Sequence, residues 1–455
     1  MPTPEVIGSG VCGCPGWPQP QSAIFPAKAQ MNSFKLKYGI SDGNEWNRFS
    51  DEKNNVELDK YIKNLPFQKA KHRKFQSKKE SIDENVFINE TKISTQNAFG
   101  KILDQYAKNN TDFSRRILTT SPDVSVSTNL GPWINRKGLF SRKDSSDTFK
   151  DRKIPSAQKW IFSSQGQHIE LGIAEMNLFL MLGAAGLSHE FFGERLFPIG
   201  TVYDPFISRG LDAMNYACYQ DARFMIVGTP SGISLAPEGG AHQSIGTPLI
   251  GISQPGLLSF EPAFADELAL IMNYGFNYLQ DEAGGSIYLR LTTRSIDQPM
   301  REIDKELKNN IIRGGYWLKK PGSNPEVIIV YQGAVASEAI ESTALLGEKF
   351  KDSGVLSITS SDNLFHNWKN QTLSFKNKTT QSHIEKLLEF IPRDTRIITV
   401  VDGHPMTLSW IGSVYGHKTI PLGVDSFGQT GNIKDLFTEF RIDTSNICNL
   451  GFNYT

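Results

Sequence analysis

One acid in an unusually apolar stretch is the residue best placed to do chemistry. Glu175 lies within residues 167–187, QHIELGIAEMNLFLMLGAAGL, where apolar side chains leave little room for a polar face. A charged carboxylate in such surroundings costs several kcal/mol unless it has a partner. Glu175 is therefore expected either to hold a proton at an unusual pH or to bind a specific donor.

A histidine in a glycine-rich loop is the second candidate. His242 lies in PEGGAHQS, a loop that follows the apolar segment RFMIVGT. Glycines let the backbone approach a ligand closely, and histidine exchanges protons near neutral pH. A loop histidine is often only a surface residue. This one lies beyond a predicted strand and opposite the Glu175 helix, which makes it a candidate for proton transfer.

Aromatic and acidic residues follow two further predicted strands. Tyr203 and Phe206 flank the end of LFPIGTVY, where they can pack in the core or form a wall on which a flat heterocycle stacks. Asp123 comes just past the strand in RILTTSPDV, and α/β sites gather at such strand ends. Cys12 and Cys14 form a CxC pair without a second pair, so no metal ligands are assigned.

These residues require a scaffold of alternating strands and helices. The pattern predicts an α/β fold with two doubly wound domains, residues 94–309 around a parallel sheet and residues 310–455. An irregular, partly disordered arm is expected over residues 1–93. The Glu175 helix is expected to start near residue 167, residues 205–219 to form another helix, and the polar segment 136–160 to form a mobile lid.

Composition narrows the class of protein. The 455 residues include 48 basic and 48 acidic ones, a balance that argues against a nucleic-acid or membrane-surface protein. The basic run within residues 69–79 is interpreted as a solvated arm. No stretch approaches the roughly 18 apolar residues that span a bilayer. Four cysteines are too few for a disulfide framework, which favours a reducing, cytoplasmic compartment.

Three motifs together resemble the thiamine-diphosphate enzymes of the transketolase and 2-oxo-acid dehydrogenase group. GIAE at 172–175 resembles the group's glutamate motif, and PEGGAHQS at 237–244 resembles its active-site histidine loop. PLGVDSFGQTG at 421–431 resembles the signature of its C-terminal domain. The likeness covers about residues 94–450 and is strongest to the decarboxylating first component of homodimeric pyruvate dehydrogenase.

The resemblance implies how a cofactor is held. Glu175 would hydrogen-bond the ring nitrogen of the aminopyrimidine of thiamine diphosphate and favour its imino form. Ile173, in the same motif, would belong to the cofactor-binding residues. Tyr203 and Phe206 would stack against the pyrimidine.

The implied reaction is the oxidative decarboxylation of a 2-oxo acid, by default pyruvate, with acyl transfer to the lipoyl group of an acyltransferase component. His242 would transfer protons or orient the bound intermediate, and then assist the acyl transfer. Asp123 would lie near the cofactor at a subunit interface. The segment 136–160 would close over the active centre.

The expected partners follow from a departure from the group's pattern. The diphosphate and its Mg²⁺ are held in this group by an N-terminal domain with a GDG motif, which this sequence is expected to lack. A homo-oligomer or a partner chain with that domain is therefore expected. Two alternatives stay open: transketolase-type ketol transfer, and a truncated, non-catalytic interaction subunit. The loop TPSG at 229–232 disfavours ketol transfer because it lacks the histidine usual in sugar-phosphate enzymes.

Overall fold

The structure, a computed structural model, describes residues 28–46, 53–65, 77–83, 86–143, 151–153, 160–374 and 380–453. The chain divides into two compact units, Met1–Arg73 and Lys74–Thr455. Cys12, Cys14 and most of the basic run lie outside the described residues. The other two cysteines, Cys218 and Cys448, are buried free thiols.

The described part of the first unit contains two helices that the sequence analysis did not predict. Helix α1 is Lys28–Lys37 and helix α2 is Lys53–Asn64. No residue of α1 is buried, and Lys35 pairs with Asp42 and Glu45 at the surface. Helix α1 was not predicted because a helix without an apolar face leaves no periodic signal in the sequence.

The second unit alternates strands with helices and short 3-10 turns. Its strands are β1 Lys92–Ile93, β2 Ile117–Ser121, β3 Leu139–Phe140, β4 Phe162–Ser163, β5 His168–Glu170, β6 Phe197–Val202, β7 Met225–Gly228, β8 Leu257–Phe260, β9 Ser286–Arg290, β10 Ile296–Asp297, β11 Gly315–Lys319, β12 Val327–Gln332, β13 Gly354–Ile358, β14 Arg396–Val401 and β15 Thr419–Leu422. Its helices are α3 Thr95–Asn109, α4 Asp112–Arg116, α5 Gly131–Lys137, α6 Glu175–Gly186, α7 Ser188–Phe191, α8 Leu211–Tyr219, α9 Thr247–Ser253, α10 Ala265–Tyr278, α11 Lys305–Arg313, α12 Ala336–Lys349, α13 Ser361–Thr372, α14 His383–Leu388, α15 Met406–Ser409, α16 Ile433–Glu439 and α17 Thr444–Asn453. Its 3-10 turns are Asp204–Gly210, Gly232–Ser234, Gly240–His242, Gly333–Val335 and Trp410–Val414.

The first sheet is parallel throughout and has helices on both faces, as predicted. Its strand order is β4-β3-β5-β2-β6-β7-β9-β8. Every neighbouring pair is parallel. Alternate residues of β7 enter different cores: Met225 and Val227 pack with α3 and α10, whereas Ile226 packs with α6 and α8. This alternation explains why the strand is an unbroken apolar run.

The second sheet is mixed. Its order is β11-β13-β12-β14-β15, in which β11 is antiparallel to β13 and the other pairs are parallel. The two faces of β12 again enter separate cores, with Ile329 and Tyr331 on one side and Ile328 and Val330 on the other. The edge strand β11 was not predicted, because its five residues carry no long apolar run.

Two helix predictions near the candidate site need correction. The Glu175 helix begins at Glu175 itself, because residues 168–170 form strand β5 and Gly172, with φ +67°, turns the chain between the two elements. The predicted helix over 205–219 starts as the 3-10 turn Asp204–Gly210 and becomes helical only in α8. Residues 144–150 and 154–159 of the predicted lid lie outside the described residues.

Residues of the second unit that precede β1 are partly packed against its first domain. Ile82 and Val86 are buried with the core formed by α3 and α10. The side-chain oxygen of Gln280 accepts a hydrogen bond from the Glu80 N–H at 2.7 Å, and its amide donates to the Glu80 carbonyl at 3.1 Å. None of the helices in the described ranges combines the length and the apolarity needed to cross a membrane.

A buried histidine in the second unit should make its free energy of unfolding depend on pH. His383 is almost fully buried in the second domain, and its Nε2 lies 2.8 Å from the Gly315 carbonyl. Burial lowers the pKa of His383 to about 4 from an ordinary 6.5. His383 therefore binds a proton more readily in the unfolded chain than in the folded one. The stability that depends on a neutral His383 is complete above pH ~6.5 and is lost as pH falls toward ~4.

We expect the free energy of unfolding to fall by about 2–3 kcal/mol from pH 7 to pH 4 through this group. The measurement is urea denaturation at both pH values for the wild type and His383→Gln, a variant that can still donate to the carbonyl. The variant should lose a smaller part of its stability on acidification. An equal loss in both chains would contradict the assignment.

Candidate active site

The candidate site lies at the edge of the first sheet where the parallel strands end. The residues predicted for it follow four neighbouring strands, β5, β2, β6 and β7. Because the carboxyl ends of parallel strands share one edge, side chains far apart in the chain meet there. The predicted location at strand ends therefore agrees with the observed topology.

Glu175 is the first residue of α6 and has a charged partner. Its side chain is 10% exposed, and its Oε1 accepts a close hydrogen bond from Nη1 of Arg209. A carboxylate in the first turn is also favoured by the positive end of the helix dipole. Of the two alternatives posed for Glu175, the structure shows the specific donor.

The aromatic pair lies beside this ion pair. The rings of Tyr203 and Phe206 are stacked, with centroids 5.9 Å apart and planes 12° apart. The Arg209 guanidinium carbon lies 3.9 Å from the centre of the Phe206 ring. His242 meets Phe206 edge-on at 5.4 Å. Arg209 thus joins Glu175 to Phe206, and Phe206 in turn contacts Tyr203 and His242. Four of the predicted site residues therefore lie in one cluster.

A fully buried acid holds this cluster in place. Asp204 lies between the two stacked residues in sequence and is 0% exposed. Both of its carboxylate oxygens accept hydrogen bonds from side chains of other elements, which offsets the cost of burying the charge. The donors are Ser244 Oγ, Thr247 Oγ1 at 2.5 Å, Tyr288 OH and Arg290 Nε at 3.0 Å. Asp204 thereby ties the aromatic turn to the loop that carries His242.

A second buried acid holds the other end of the His242 loop. Oδ1 of Asp402, just past β14, accepts a hydrogen bond from the Ile233 N–H at 2.8 Å, and Oδ2 accepts one from the Ser234 N–H at 3.3 Å. Ser244 Oγ also accepts from the Gly232 N–H at 2.9 Å. His242 itself is exposed between these anchors. The loop backbone is therefore fixed while the imidazole stays accessible.

A buried carboxylate connects the two sheets behind the site. Arg290, at the end of β9, donates through Nη1 to Glu261 Oε1 at 2.5 Å, and Gln332, at the end of β12, donates to Glu261 Oε2 at 2.9 Å. Burial raises the pKa of Glu261 to about 7, although the Arg290 charge opposes the shift. The carboxylate is thus shared between the first and second sheets.

Asp123 and Ile173 are not joined to the cluster by their side chains. The Asp123 side chain is exposed, and its backbone N–H donates to Glu170 Oε1 at 2.7 Å. Ile173 is 79% exposed, on the short turn before α6. The sequence analysis chose both for their place near a motif or strand end, and that signal does not specify side-chain direction.

A polar cluster near Asp123 was missed. Ser125 donates to Glu170 Oε2 at 2.6 Å, and the Ser125 hydroxyl lies 3.0 Å from Nε2 of the buried His168. Burial raises the pKa of Glu170, but the hydrogen bonds from His168, Ser125 and the Asp123 N–H outweigh it and bring the pKa below its ordinary value. The group is a fixed anion at the end of β5.

The residues of the cluster fit one part of the cofactor that the resemblance implies. A nearly buried carboxylate beside stacked aromatic rings offers a hydrogen-bond partner and a stacking surface to a flat nitrogen heterocycle. Among the described residues, no three His, Cys, Asp or Glu side chains come together as a metal site. The described site therefore fits the pyrimidine, and no described residues are assigned to a diphosphate-bound metal.

Known proteins match the chain in two consecutive parts. Residues 81–299 match the family model of the pyruvate dehydrogenase E1 component middle domain, and residues 314–443 match the transketolase-like TK C-terminal domain. Pyruvate dehydrogenase E1 components are 25% identical over 364 residues in Buchnera aphidicola and 26% identical over 275 residues in Escherichia coli K12. These alignments cover 78% and 59% of this chain but 40% and 30% of the relatives. The chain thus spans less than half the length of these relatives.

Solved transketolases share the fold. A transketolase mutant from Pichia stipitis aligns with a TM-score of 0.63 at 17% identity, over 93% of this chain and 51% of that one. A split-gene transketolase, described as an inactive beta4 tetramer, aligns with a TM-score of 0.53 at 17% identity, over 79% of this chain and 97% of that one.

The two domains and their order place the chain in the group of proteins that contains transketolases and pyruvate dehydrogenase E1 components. The chain belongs to this group. Its first domain is of the pyruvate dehydrogenase E1 kind and its second is of the transketolase C-terminal kind. The resemblance drawn from the three sequence motifs is confirmed.

The role of Asp204 leads to a stability prediction. Asp204→Asn keeps the shape of the side chain but leaves Arg290 with one buried carboxylate instead of two, and turns an amide toward hydroxyl donors. We expect a loss of about 3 kcal/mol in the free energy of unfolding. This is the lower end of the usual range for a broken buried ion pair, because Arg290 keeps Glu261 as a partner. Urea denaturation at pH 7 measures it.

Asp297→Asn is the matched control, because that carboxylate is 90% exposed. It should change the stability by less than about 0.5 kcal/mol. A loss for Asp204→Asn no larger than that of the control would show that Asp204 does not hold the cluster.

Proposed function

We propose that this chain forms the pyrimidine-binding side of the decarboxylating component of a 2-oxo-acid dehydrogenase, with pyruvate as substrate and a lipoyl group as acyl acceptor. The observation that carries the proposal is the nearly buried Glu175 carboxylate beside the stacked aromatic pair. The match to the pyruvate dehydrogenase E1 middle domain supports the substrate class. The lipoyl group would come from an acyltransferase component.

Each residue of the cluster has a distinct task in this proposal. Thiamine diphosphate, when bound, supplies the carbon nucleophile and the electron sink for decarboxylation. Glu175 binds the pyrimidine ring nitrogen, and Phe206 and Tyr203 orient the ring by stacking. His242, exposed on an anchored loop, moves a proton at an imidazole nitrogen during decarboxylation and acyl transfer. Asp204 positions these groups without touching the substrate.

An apolar surface beside Glu175 supports a partner chain. Met176 and Leu180 of α6 are 41% and 57% exposed, although the opposite side of that helix is buried. On the neighbouring α8, Tyr216 and Tyr219 are also exposed. The sequence pattern predicts a helix that is apolar on almost every side. Apolar residues grouped at an open face are typical of an interface. We infer that a second chain covers α6 and α8.

The second chain would complete the cofactor site. We assign the diphosphate and Mg²⁺ to it, because the group keeps them on a separate domain. The split-gene transketolase supports this arrangement, since a chain of nearly this extent is described there as inactive and tetrameric. We also propose that Asp123 and Ile173 face the cofactor or the partner across that interface. Both side chains are exposed; Ile173 is close to Glu175 in sequence, and Asp123 lies at the same edge of the sheet. A cytoplasmic location remains part of the proposal.

The first test replaces the carboxylate with its amide. Glu175→Gln should reduce thiamine-diphosphate-dependent decarboxylation of pyruvate by at least ~100-fold in the chain assembled with a diphosphate-binding partner, since the pyrimidine loses its acid. Release of CO₂ from labelled pyruvate measures the reaction.

Glu348→Gln, an exposed acid on α12, serves as the control and should leave the rate unchanged. Full activity in Glu175→Gln would refute its assigned role. Turnover of a ketose phosphate in preference to pyruvate would instead favour ketol transfer.

The second test concerns the interface. Leu180→Lys places a charge on the exposed apolar face of α6, so it should weaken association at least ~10-fold while changing the monomer's stability by no more than ~0.5 kcal/mol. Sedimentation velocity over a concentration series measures association. Leu345→Lys, on α12 and 41% exposed, is the matched control. Equal association of both variants and the wild type would place the interface elsewhere.

A further inference from the structure

A polar cavity lies at the opposite edge of the first sheet from the candidate active site. Arg115 and Arg116 directly precede β2, and Glu194 and Arg195 precede β6. Because β2 and β6 are parallel neighbours, these residues meet at the amino edge of the sheet, where they line a cavity of about 480 Å³. Strand β6 has six residues. At a rise of about 3.3 Å per residue, the cavity is about 16 Å from the strand ends that carry the candidate active site.

Charged side chains line this cavity, and the basic ones outnumber the acidic ones. The described lining side chains are the cations Lys78, Arg115, Arg116 and Arg195 and the acids Glu80, Asp112 and Glu194. Arg115 pairs with Asp112, and Arg116 pairs with Glu80 at 3.1 Å and with Glu194 at 2.7 Å. Two arginines thus engage all three acids. Lys78 and Arg195 are left without a paired carboxylate among the described residues.

Arg195 is buried although no acid is paired with it. The residue is 9% exposed, and its Nη1 donates to the Leu279 carbonyl at 2.7 Å. Its Nε has no hydrogen-bond partner among the described residues. Burial, reinforced by the nearby charge of Arg223, lowers the pKa of Arg195 to about 10, although Asp221 opposes the shift. A cation in such surroundings is costly unless an anion accompanies it, and the cavity provides the space for one.

The arrangement of the cations indicates the chemistry of the anion. Lys78 comes from the residues before β1, whereas Arg195 precedes β6, and Arg116 donates to the Arg195 carbonyl at 3.2 Å from the segment before β2. A phosphate group carries more negative charge than a carboxylate and presents oxygens in several directions, so it can pair with cations from different segments. The described lining residues include no aromatic side chain, which disfavours a ligand held by a stacked base.

We propose that the cavity bounded by Lys78, Arg116 and Arg195 binds a phosphate group, either as the free ion or on a small phosphate ester. The bound group pairs with Lys78 and Arg195 and competes with Glu194 for Arg116. Its place at the amino edge of the sheet separates it from the strand-end site, so the inference does not depend on the proposed function. Binding stabilises the folded second unit, because the ligand accompanies a cation that folding buries.

Isothermal titration calorimetry of the full chain with inorganic phosphate, in a buffer of low ionic strength, tests the proposal. Arg195→Met removes the buried cation and should weaken binding at least ~10-fold. Lys78→Met changes an exposed residue and should weaken it about 3-fold. Glu194→Gln should act in the opposite direction and strengthen binding about 3-fold, because Arg116 loses a competing carboxylate.

Matched controls and two further ligands complete the design. Arg136→Met and Glu348→Gln remove the same charges outside the cavity and should bind phosphate as the wild type does. Saturable binding of glycerol phosphate as well as inorganic phosphate would assign the site to an ester, and binding of inorganic phosphate alone would assign it to the free ion. Circular dichroism melts give a second readout, since phosphate should raise the Tm of the wild type more than that of Lys78→Met.

Three results would overturn the proposal. The first is the absence of saturable phosphate binding by the wild type. The second is equal phosphate binding by the wild type, Lys78→Met and Glu194→Gln, a comparison that holds even where Arg195→Met does not fold. The third is binding of succinate as tight as that of phosphate, which would remove the assignment to a phosphate group.

Discussion

The buried negative charge of Asp204 is the constraint on which the rest of the candidate site depends. A carboxylate removed from water is costly, and here the cost is offset by two hydroxyl groups, a phenol and a guanidinium that come from separate elements. Each donor brings its own loop or strand to a defined place. The last residue of β7, Gly228, also lies close to this acid, since a Cβ added to Gly228 would overlap the Asp204 carboxylate. The loops after β6 and β7 therefore form one structural unit.

Much of the fold was predictable because its strands are buried on both faces. Segments such as RFMIVGT and EVIIVYQG have no polar alternation, which is typical of parallel sheets covered by helices. The prediction failed where local patterns carry little information. Helix α1 has no apolar face, β11 is a short edge strand, and Gly172 turns the chain between strand β5 and helix α6. These features depend on tertiary packing and not on periodicity.

The sequence was enough to predict that the candidate site lies at the ends of strands, but only some of its side chains could be identified. Glu175 and His242 could be chosen because an acid in an apolar run and a histidine among glycines are unusual. Arg209 could not, since its relation to Glu175 spans 34 residues and depends on how α6 lies beside the turn after β6. Asp204 follows an apolar strand, the same signal that led to Asp123, and could have been found by it. Asp123 itself shows that a strand end does not determine whether a side chain points inward.

The Glu261 carboxylate, shared by Arg290 and Gln332, has a mechanical consequence. A hinge motion between the two sheets would separate Gln332, at the end of β12, from this carboxylate, whereas Arg290 would stay with it because both lie at the ends of strands of the first sheet. The motion would leave a buried carboxylate oxygen without its amide donor. Swinging one domain over the other, a common way for enzymes to enclose a substrate, therefore has to break a buried hydrogen bond in this molecule.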